Sequence, residues 1–317
     1  MQNNKLNFVF FGTPDVASET LEILKEDGYV PSLIVTSPDK PQGRKMLITP
    51  PPVKVWAEKN NIPYIQPEKP GELESIFMTS SHNYEPRKAI RQEANTRESK
   101  KAFQFDLFIV VAYGKIIPEK LINTPKFGSI NIHYSLLPKY RGASPVESAI
   151  LNGDTETGIT IQKMEYKLDS GAIIAQEKVA ILPNEKAPDL RKRLIKLGGE
   201  LLVKILPEFV TGKIKETPQK EQDVTFCKKI KKEDGLVDLN DNAIINYNKF
   251  RAYAFWPRTF FFKDNKRIII TDAELVNNKF VIKKVLPEGK KEIKYEEFLK
   301  NPDVKSESRP RSVGTSI

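Results

Sequence analysis

The segment GSINIHYSLLPKYRGASP, residues 128–145, sets the fold and the function expected of this chain. In its first half, apolar residues at positions 130, 132 and 134 alternate with polar residues at 129, 131 and 133, a period that predicts a β-strand. Asn131 and His133 therefore project from one face, and a loop containing proline and glycine follows. An amide donor beside an imidazole suits acyl-type chemistry, in which one group holds an oxyanion and the other moves a proton. Taken alone, the pattern also fits a histidine satisfied in a protein core.

The residues downstream supply a carboxylate. A predicted helix over 146–151 and a predicted strand over 157–164 lead to Leu168-Asp169-Ser170-Gly171. Asp-Ser-Gly is ordinary turn chemistry, so Asp169 by itself is interpreted as a turn residue.

Upstream, an apolar run over 105–112 predicts a central parallel strand that is covered on both faces. The turn YGKIIP follows it at 113–118, and in open α/β sheets ligands bind beyond the carboxyl ends of such strands. At the start of the chain, a strand over 6–11 runs into a helix; we expect Thr13 to cap this helix and Pro14 to take its first position. The lone Gly12 does not make a dinucleotide-binding turn.

Three motifs now combine. Asn-x-His at 131–133, SLLPKYRG at 135–142 and Leu-Asp-x-Gly at 168–171 together resemble the signature of the folate-dependent formyltransferases. The resemblance implies that Asn131, His133 and Asp169 form a catalytic trio, that 10-formyltetrahydrofolate is the formyl donor, and that no metal is needed. It also implies that two loops bind the folate: Val111, Ala112, Tyr113, Gly114, Lys115, Ile116 and Ile117 in the first, and Ser135, Leu136, Leu137 and Pro138 in the second. The family generally has a small residue in place of Tyr134, which is therefore expected to narrow the pocket.

A basic segment at 36–46 follows a predicted strand over 32–35. The segment contains two prolines, a glycine and several cations, which predict a mobile surface loop. Without a ligand such a loop would simply be a solvated connection between two elements. It resembles an insertion that formyltransferases acting on tRNA carry, although Met46 and Leu47 stand where that group often has lysines. The implied partner is initiator Met-tRNA, beside the folate donor. The residues expected to bind tRNA are Lys40, Arg44, Lys45, Arg141, Lys228 and Lys229.

The order of elements predicts an α/β protein with an open, mostly parallel, Rossmann-like sheet and a C-terminal small β-barrel of OB-like type. We expect a catalytic domain over 1–206 with an insertion at 79–104, a linker over 207–222, a barrel that binds tRNA over 223–300, and a tail over 301–317. Short strand-like runs at 225–230, 258–263, 267–272 and 280–285 suggest the barrel, with a hairpin turn at 263–266.

Composition narrows the function classes. The 317 residues carry a net charge of +10, which favours a polyanionic partner. One cysteine and two histidines exclude a disulfide framework and a His-rich zinc site. The first residues lack the form of a secretory signal and no apolar run is long enough to span a bilayer, so we expect a cytoplasmic protein with no membrane partner. We also expect a monomer.

Two alternatives remain open. The same trio serves formyltransferases that act on UDP-linked amino sugars or on other small amines such as glycinamide ribonucleotide, so the trio does not fix the acceptor. A non-catalytic RNA-binding protein is the alternative from a different class. The basic loop and the basic C-terminal region favour tRNA.

Overall fold

The computed structural model describes residues 6–43, 45–78 and 105–300. The predicted insertion at 79–104, the tail at 301–317 and Arg44 lie outside these residues. The chain folds into two compact units: the first takes in the described residues of 1–145, 156–180 and 191–228, and the second those of 146–155, 181–190 and 229–317.

Up to residue 210, the part of the chain that the structure describes forms ten strands and six helices. The strands are β1 Phe8–Gly12, β2 Leu33–Val35, β3 Lys40–Gln42, β4 Leu47–Thr49, β5 Tyr64–Ile65, β6 Leu107–Val111, β7 Ser129–His133, β8 Arg141–Gly142, β9 Glu156–Lys163 and β10 Ile173–Ala180. The helices are α1 Asp15–Glu26, α2 Pro52–Lys59, α3 Pro70–Met78, α4 Glu119–Ile122, α5 Pro145–Leu151 and α6 Ala187–Val210.

Residues 211–300, the described part of the chain after α6, form five strands and two α-helices. The strands are β11 Phe226–Cys227, β12 Phe260–Lys263, β13 Lys266–Val276, β14 Lys279–Pro287 and β15 Ile293–Lys294. The helices are α7 Ala243–Ala252 and α8 Tyr295–Lys300, and two short 3-10 helices span Glu221–Asp223 and Lys232–Gly235.

A seven-stranded sheet organises the first unit. Its order is β10-β9-β7-β6-β1-β2-β5; the strands from β7 to β5 are parallel, and β9 runs antiparallel to both β7 and β10. Every residue of β1 and β6 is buried, as their unbroken apolar sequences predict for central strands. The chain reverses its winding direction between these two strands, so a crevice forms beyond their carboxyl ends.

The second unit contains an antiparallel sheet in the order β12-β13-β14-β15. Helices α7 and α8 contribute Phe250 and Phe298 to an apolar core that also contains Ile268, Ile270 and Val285 from the strands. The predicted hairpin is confirmed: Lys263 pairs with Lys266, and Asp264 and Asn265 have φ of +48° and +59°. Two consecutive residues with positive φ are typical of a type I′ turn, whose twist matches that of the strands. The predicted fold class is confirmed in both parts.

Three local predictions are wrong. Helix α1 begins at Asp15 after Pro14, and no side chain caps it, because Thr13 donates its hydroxyl to the carbonyl oxygen of Tyr113 at 2.9 Å. The basic segment is exposed as expected, but its residues Lys40–Gln42 form β3, which pairs with β4 just after the segment in a hairpin rather than an irregular loop. The strand expected at 225–230 contains only β11, which pairs with β8 in the first unit and not with the second sheet.

Within residues 6–43, 45–78 and 105–300, no helix is both long enough and apolar enough to cross a membrane.

A candidate active site at the end of strand β7

Strand β7 presents Asn131 and His133 on one face, as predicted. Its neighbour β9 pairs Gln162 with Asn131 and Thr160 with His133, and residues paired across two strands point to the same side of the sheet. Two polar residues of β9 therefore join the two of β7. Since β7 ends at His133, this polar patch lies at the carboxyl end of the parallel strands, where ligands of such sheets bind.

His133 is buried, with 5% of its surface exposed. Its Nε2 lies 2.8 Å from the carbonyl oxygen of Tyr140. A carbonyl oxygen only accepts, so Nε2 carries the hydrogen, and in the neutral ring Nδ1 keeps its lone pair. Burial lowers the pKa of His133 below its ordinary value, and this outweighs the opposing effects of Asp169 and the Tyr140 carbonyl. The residue is therefore a neutral imidazole that can accept a proton at Nδ1.

Asp169 lies next to that lone pair. Its Oδ2 is 3.7 Å from His133 Nδ1 and accepts a hydrogen bond of 2.8 Å from the backbone N–H of Gly142. Its Oδ1 accepts from Gln162 Nε2 at 3.1 Å. The backbone of Asp169 has φ of +48°, an uncommon conformation that aspartate tolerates better than most residues. The carboxylate is thus fixed where it can stabilise a positive charge on the ring.

Asn131 completes the patch. It is half-buried, and no hydrogen bond joins its side-chain amide to any residue within 6–43, 45–78 and 105–300. Amide groups at such sites are normally paired with protein or water. Both N–H donors of Asn131 are available to a bound oxygen.

The loop over residues 135–140 is held on β9 by Thr160. The Thr160 hydroxyl donates to the carbonyl oxygen of Ser135 at 2.7 Å and accepts from the backbone N–H of Leu137 at 3.1 Å. Ser135 and Leu137 are buried, while Leu136 and Pro138 are partly exposed. Only the second pair can offer much surface to a ligand.

The loop after β6 lies at the crevice between β1 and β6. Val111, Tyr113 and Ile117 are buried and support the loop, whereas Ala112 and Gly114 are exposed and Ile116 is 68% exposed. Gly114 has φ of +75°, and a Cβ built on it would meet no atom within 4 Å. Lys115 donates to the carbonyl oxygens of Pro67 and Glu68 and so ties the loop to the residues just before α3. The result is an open, partly apolar shelf.

The residues predicted to bind tRNA fall into two groups. Lys40 and Lys45 are exposed on the hairpin, and Lys228 and Lys229 are exposed after β11. Arg141 departs from the prediction, since it is fully buried and donates to Gln219 and Glu221, which leaves its guanidinium no face for a polyanion. Its hydrogen bond holds the pKa of the Glu221 carboxyl below its ordinary value.

Tyr134 lies on the other face of β7. A Cβ built on Gly198 of α6 would be 3.6 Å from its ring, so Tyr134 packs on the helical side of the sheet. The expectation that it narrows the pocket is wrong, because successive residues of a strand point to opposite faces.

Three site residues were missed in the sequence: Thr160, Gln162 and Gln219. The first two alternate with buried Ile159 and Ile161 on a predicted strand, and this alternation could have placed them beside Asn131 and His133. Gln219 stands in a polar segment with no periodic pattern.

Replacing Gly142 with alanine should destabilise the site. Gly142 has φ of +126°, and a Cβ there would clash with the carbonyl oxygen of Cys227. We expect the free energy of unfolding in urea to fall by about 2 to 4 kcal/mol. The matched control is Gly28→Ala, since Gly28 also has positive φ but open space around it; its cost should be about 1 to 2 kcal/mol. Equal costs would show that the contact with Cys227 is unimportant.

Comparison with known proteins agrees with this geometry. Residues 5–206 match the family model described as formyl transferase, and residues 229–282 match the formyl transferase C-terminal domain. The fold and the two family matches together define the class of the protein: it is a formyl transferase.

The curated relatives narrow the class. The chain is 40% identical over 276 residues to the methionyl-tRNA formyltransferase of Halalkalibacterium halodurans, covering 86% of this chain and 80% of the relative. It is also 40% identical over 252 residues to that of Thermotoga maritima, covering 80% and 74%. The chain belongs to the methionyl-tRNA formyltransferase family.

Solved structures of more distant proteins share the fold. WlaRD, a sugar 3N-formyl transferase solved in the presence of dTDP and 5-N-formyl-THF, gives a TM-score of 0.61 at 20% identity, covering 87% of this chain and 88% of that one. The N-formyltransferase of Helicobacter canadensis, in complex with folinic acid and dTDP-3-aminofucose, gives 0.61 at 18% identity, covering 86% and 88%.

Proposed function

We propose that the protein transfers the formyl group of 10-formyltetrahydrofolate to the α-amine of initiator methionyl-tRNA. The observation that carries the proposal is the pair of a neutral, buried His133 and Asp169, 3.7 Å apart, beside the Asn131 amide, which makes no hydrogen bond to any residue that the structure describes. Relatives that are 40% identical and named methionyl-tRNA formyltransferases support the choice of acceptor.

The residues present fit a folate donor. A flat ring system needs an open surface with apolar contacts, and the shelf formed by Ala112, Gly114 and Ile116 supplies one beside β7. Leu136 and Pro138 on the second loop are exposed enough to add contacts. When bound there, the donor supplies an activated formyl carbon.

His133 would move the proton. The attacking amine must lose a proton, and Nδ1 of His133 carries the lone pair that can take it. The carboxylate of Asp169 would then stabilise the imidazolium until the proton passes to the departing nitrogen of the donor. The hydrogen bond to Tyr140 keeps the ring in one orientation throughout.

Asn131 would hold the formyl oxygen. Negative charge builds up on that oxygen when the amine attacks, and a preorganised N–H donor stabilises the charge without having to reorganise. The absence of a competing hydrogen bond within the described residues suits Asn131 for this role.

The tRNA would bind along two basic surfaces. Lys40 and Lys45 are exposed on the hairpin, whose base is fixed by the ion pair of Lys54 with Asp39 at 2.6 Å. We further propose that residues 1–206 form the catalytic domain and that residues 223–300 bind tRNA, with Lys228 and Lys229 at their start. Arg44 is also proposed to bind tRNA, on the evidence of the sequence alone.

An acceptor assay tests the function. Purified protein would be given the labelled formyl donor with initiator Met-tRNA, with uncharged tRNA or with a nucleotide-linked amino sugar. We expect label in Met-tRNA alone. Label in the amino sugar would replace the proposed acceptor, and tRNA binding with no transfer at all would make the protein a non-catalytic RNA-binding protein.

The titration of His133 gives a pH prediction. The chain has two histidines, so imidazole NMR of a His82→Gln variant reports on His133. Because burial lowers the pKa, the midpoint should fall below about 6.5, and the transfer rate should fall as the pH drops through it. Asp169→Asn should lower the midpoint of His133 further, since the Asp169 carboxylate raises the pKa of the imidazole. An upward shift in that variant would contradict the pairing.

The hairpin lysines give a binding prediction. A Lys40→Ala/Lys45→Ala variant should bind tRNA more weakly, and each lost phosphate contact should reduce the slope of log Kd against log salt by about 0.7 to 0.9. The turnover number at saturation should not change. The control is Lys192→Ala/Lys196→Ala on α6, which removes the same charge from another exposed surface. An equal effect of both variants would indicate net charge rather than a site.

A further inference from the structure

Gln219 lies in a segment that the sequence predicted to be a linker. In the structure this segment packs within the first unit: Thr217 exchanges two backbone hydrogen bonds of 2.8 Å with Ile173 at the start of β10. This anchors the chain after α6 next to the turn that carries Asp169.

The side-chain amide of Gln219 is fully used. Its Nε2 donates to the carbonyl oxygens of Asp169 at 2.9 Å and Gly171 at 2.8 Å. Its Oε1 accepts from Nε and Nη2 of Arg141 at 3.0 and 2.8 Å. The arginine only donates and the two carbonyl oxygens only accept, so the amide has one possible orientation.

These bonds connect both sides of the Asp169 carboxylate. On one side, Gln219 holds the Asp169 backbone at its unusual φ of +48°. On the other side, Gln219 holds Arg141, whose neighbour Gly142 donates its N–H to Asp169 Oδ2. Arg141 is itself fixed by burial and by Glu221 at 2.9 Å. The Gln219 side chain thus fixes both the turn that carries Asp169 and the backbone N–H of Gly142 that binds the Asp169 carboxylate.

We propose that Gln219 is a positioning residue for the reaction: it fixes the Asp169 carboxylate opposite His133 Nδ1. The inference rests on the proposed function, in which that carboxylate stabilises the protonated ring. Within the described residues Gln219 makes no hydrogen bond to His133 or Asn131. Its Nε2 also lies 3.4 Å from Gln162 Oε1, and Gln162 in turn donates to Asp169 Oδ1, so both of its connections to the site lead to Asp169.

The first test is Gln219→Met, which keeps the length of the side chain and removes its hydrogen bonds. If the Asp169 carboxylate moves away from the ring, its electrostatic stabilisation of the protonated imidazole becomes weaker. The NMR midpoint of His133 should therefore shift downwards, in the same direction as in Asp169→Asn. The kcat for Met-tRNA should fall by about 10- to 100-fold, the range expected for a misplaced catalytic group, with KM little changed.

A double-mutant cycle separates positioning from general stability. In an Asp169→Asn background, Gln219→Met should change kcat by no more than about twofold, because residues acting as one unit are not additive. Full multiplication of the two losses, or an unchanged His133 midpoint in Gln219→Met, would overturn the inference. The control is Glu216→Gln, which removes a partly exposed ion pair with Lys163 from the same segment and should leave both readouts unchanged.

A second variant covers a failure of Gln219→Met to fold. Gln219→Glu keeps the acceptor for Arg141 but places a carboxylate oxygen against the carbonyl oxygens of Asp169 and Gly171. Its kcat should fall and show the same coupling to Asp169→Asn, and independent effects would overturn the inference. If the wild type transfers no formyl group, the proposed function fails, while the NMR titration still reports on Gln219.

Discussion

Replacing His133 with alanine is expected to lower kcat for formyl transfer by about 10²- to 10⁴-fold, the usual worth of a positioned general base. The variant loses the lone pair at Nδ1, and Asp169 at 3.7 Å is left with no cation to stabilise. Binding of tRNA should persist, because the buried ring offers no surface to the polyanion. Single-turnover formylation measures the first effect and filter binding measures the second.

The matched control for this variant is the other histidine. His82 belongs to the polar segment that the sequence predicts to be an insertion, residues 79–104. His82→Ala should therefore keep wild-type turnover. Weakened tRNA binding with full chemistry in His133→Ala would refute the assignment of the base.

Replacing Asn131 with alanine is expected to lower kcat by about 10²- to 10³-fold, as removal of a single oxyanion donor does in other enzymes. The amide makes no hydrogen bond within the described part of the chain, so its loss should cost little folding stability. The loss should appear in kcat and kcat/KM equally, since the interaction forms only in the transition state.

Asn131→Asp sharpens this test. The carboxylate has nearly the same shape but cannot donate, and it places a negative charge where the oxyanion would form. Its activity should be as low as that of the alanine variant or lower. Asn123→Ala, an exposed asparagine after α4, is the control and should behave as wild type. Substantial activity in Asn131→Asp would show that a hydrogen-bond donor is not required at this position.

Much of the fold could be predicted because it is encoded locally. The alternation at 129–134 predicted β7 and its two faces, and the unbroken apolar sequences predicted that β1 and β6 would be central. The basic hairpin was missed because its prolines and glycine suggested a loop, while its strand pairing depends on residues facing each other across the turn. Thr13 was misplaced for a similar reason: it bonds to Tyr113, a hundred residues away.

The sequence by itself determined which residues form the sheet, and which face of β7 carries Asn131 and His133, because strand period is a property of consecutive residues. Only the tertiary structure decided that Asp169 faces the imidazole of His133, that Arg141 is buried and that Gln219 links Asp169 to Arg141. These contacts span 27 to 80 positions of the chain. No periodic pattern specifies them, because they depend on how separate strands and turns meet, and their hydrogen bonds exist only once that packing has formed.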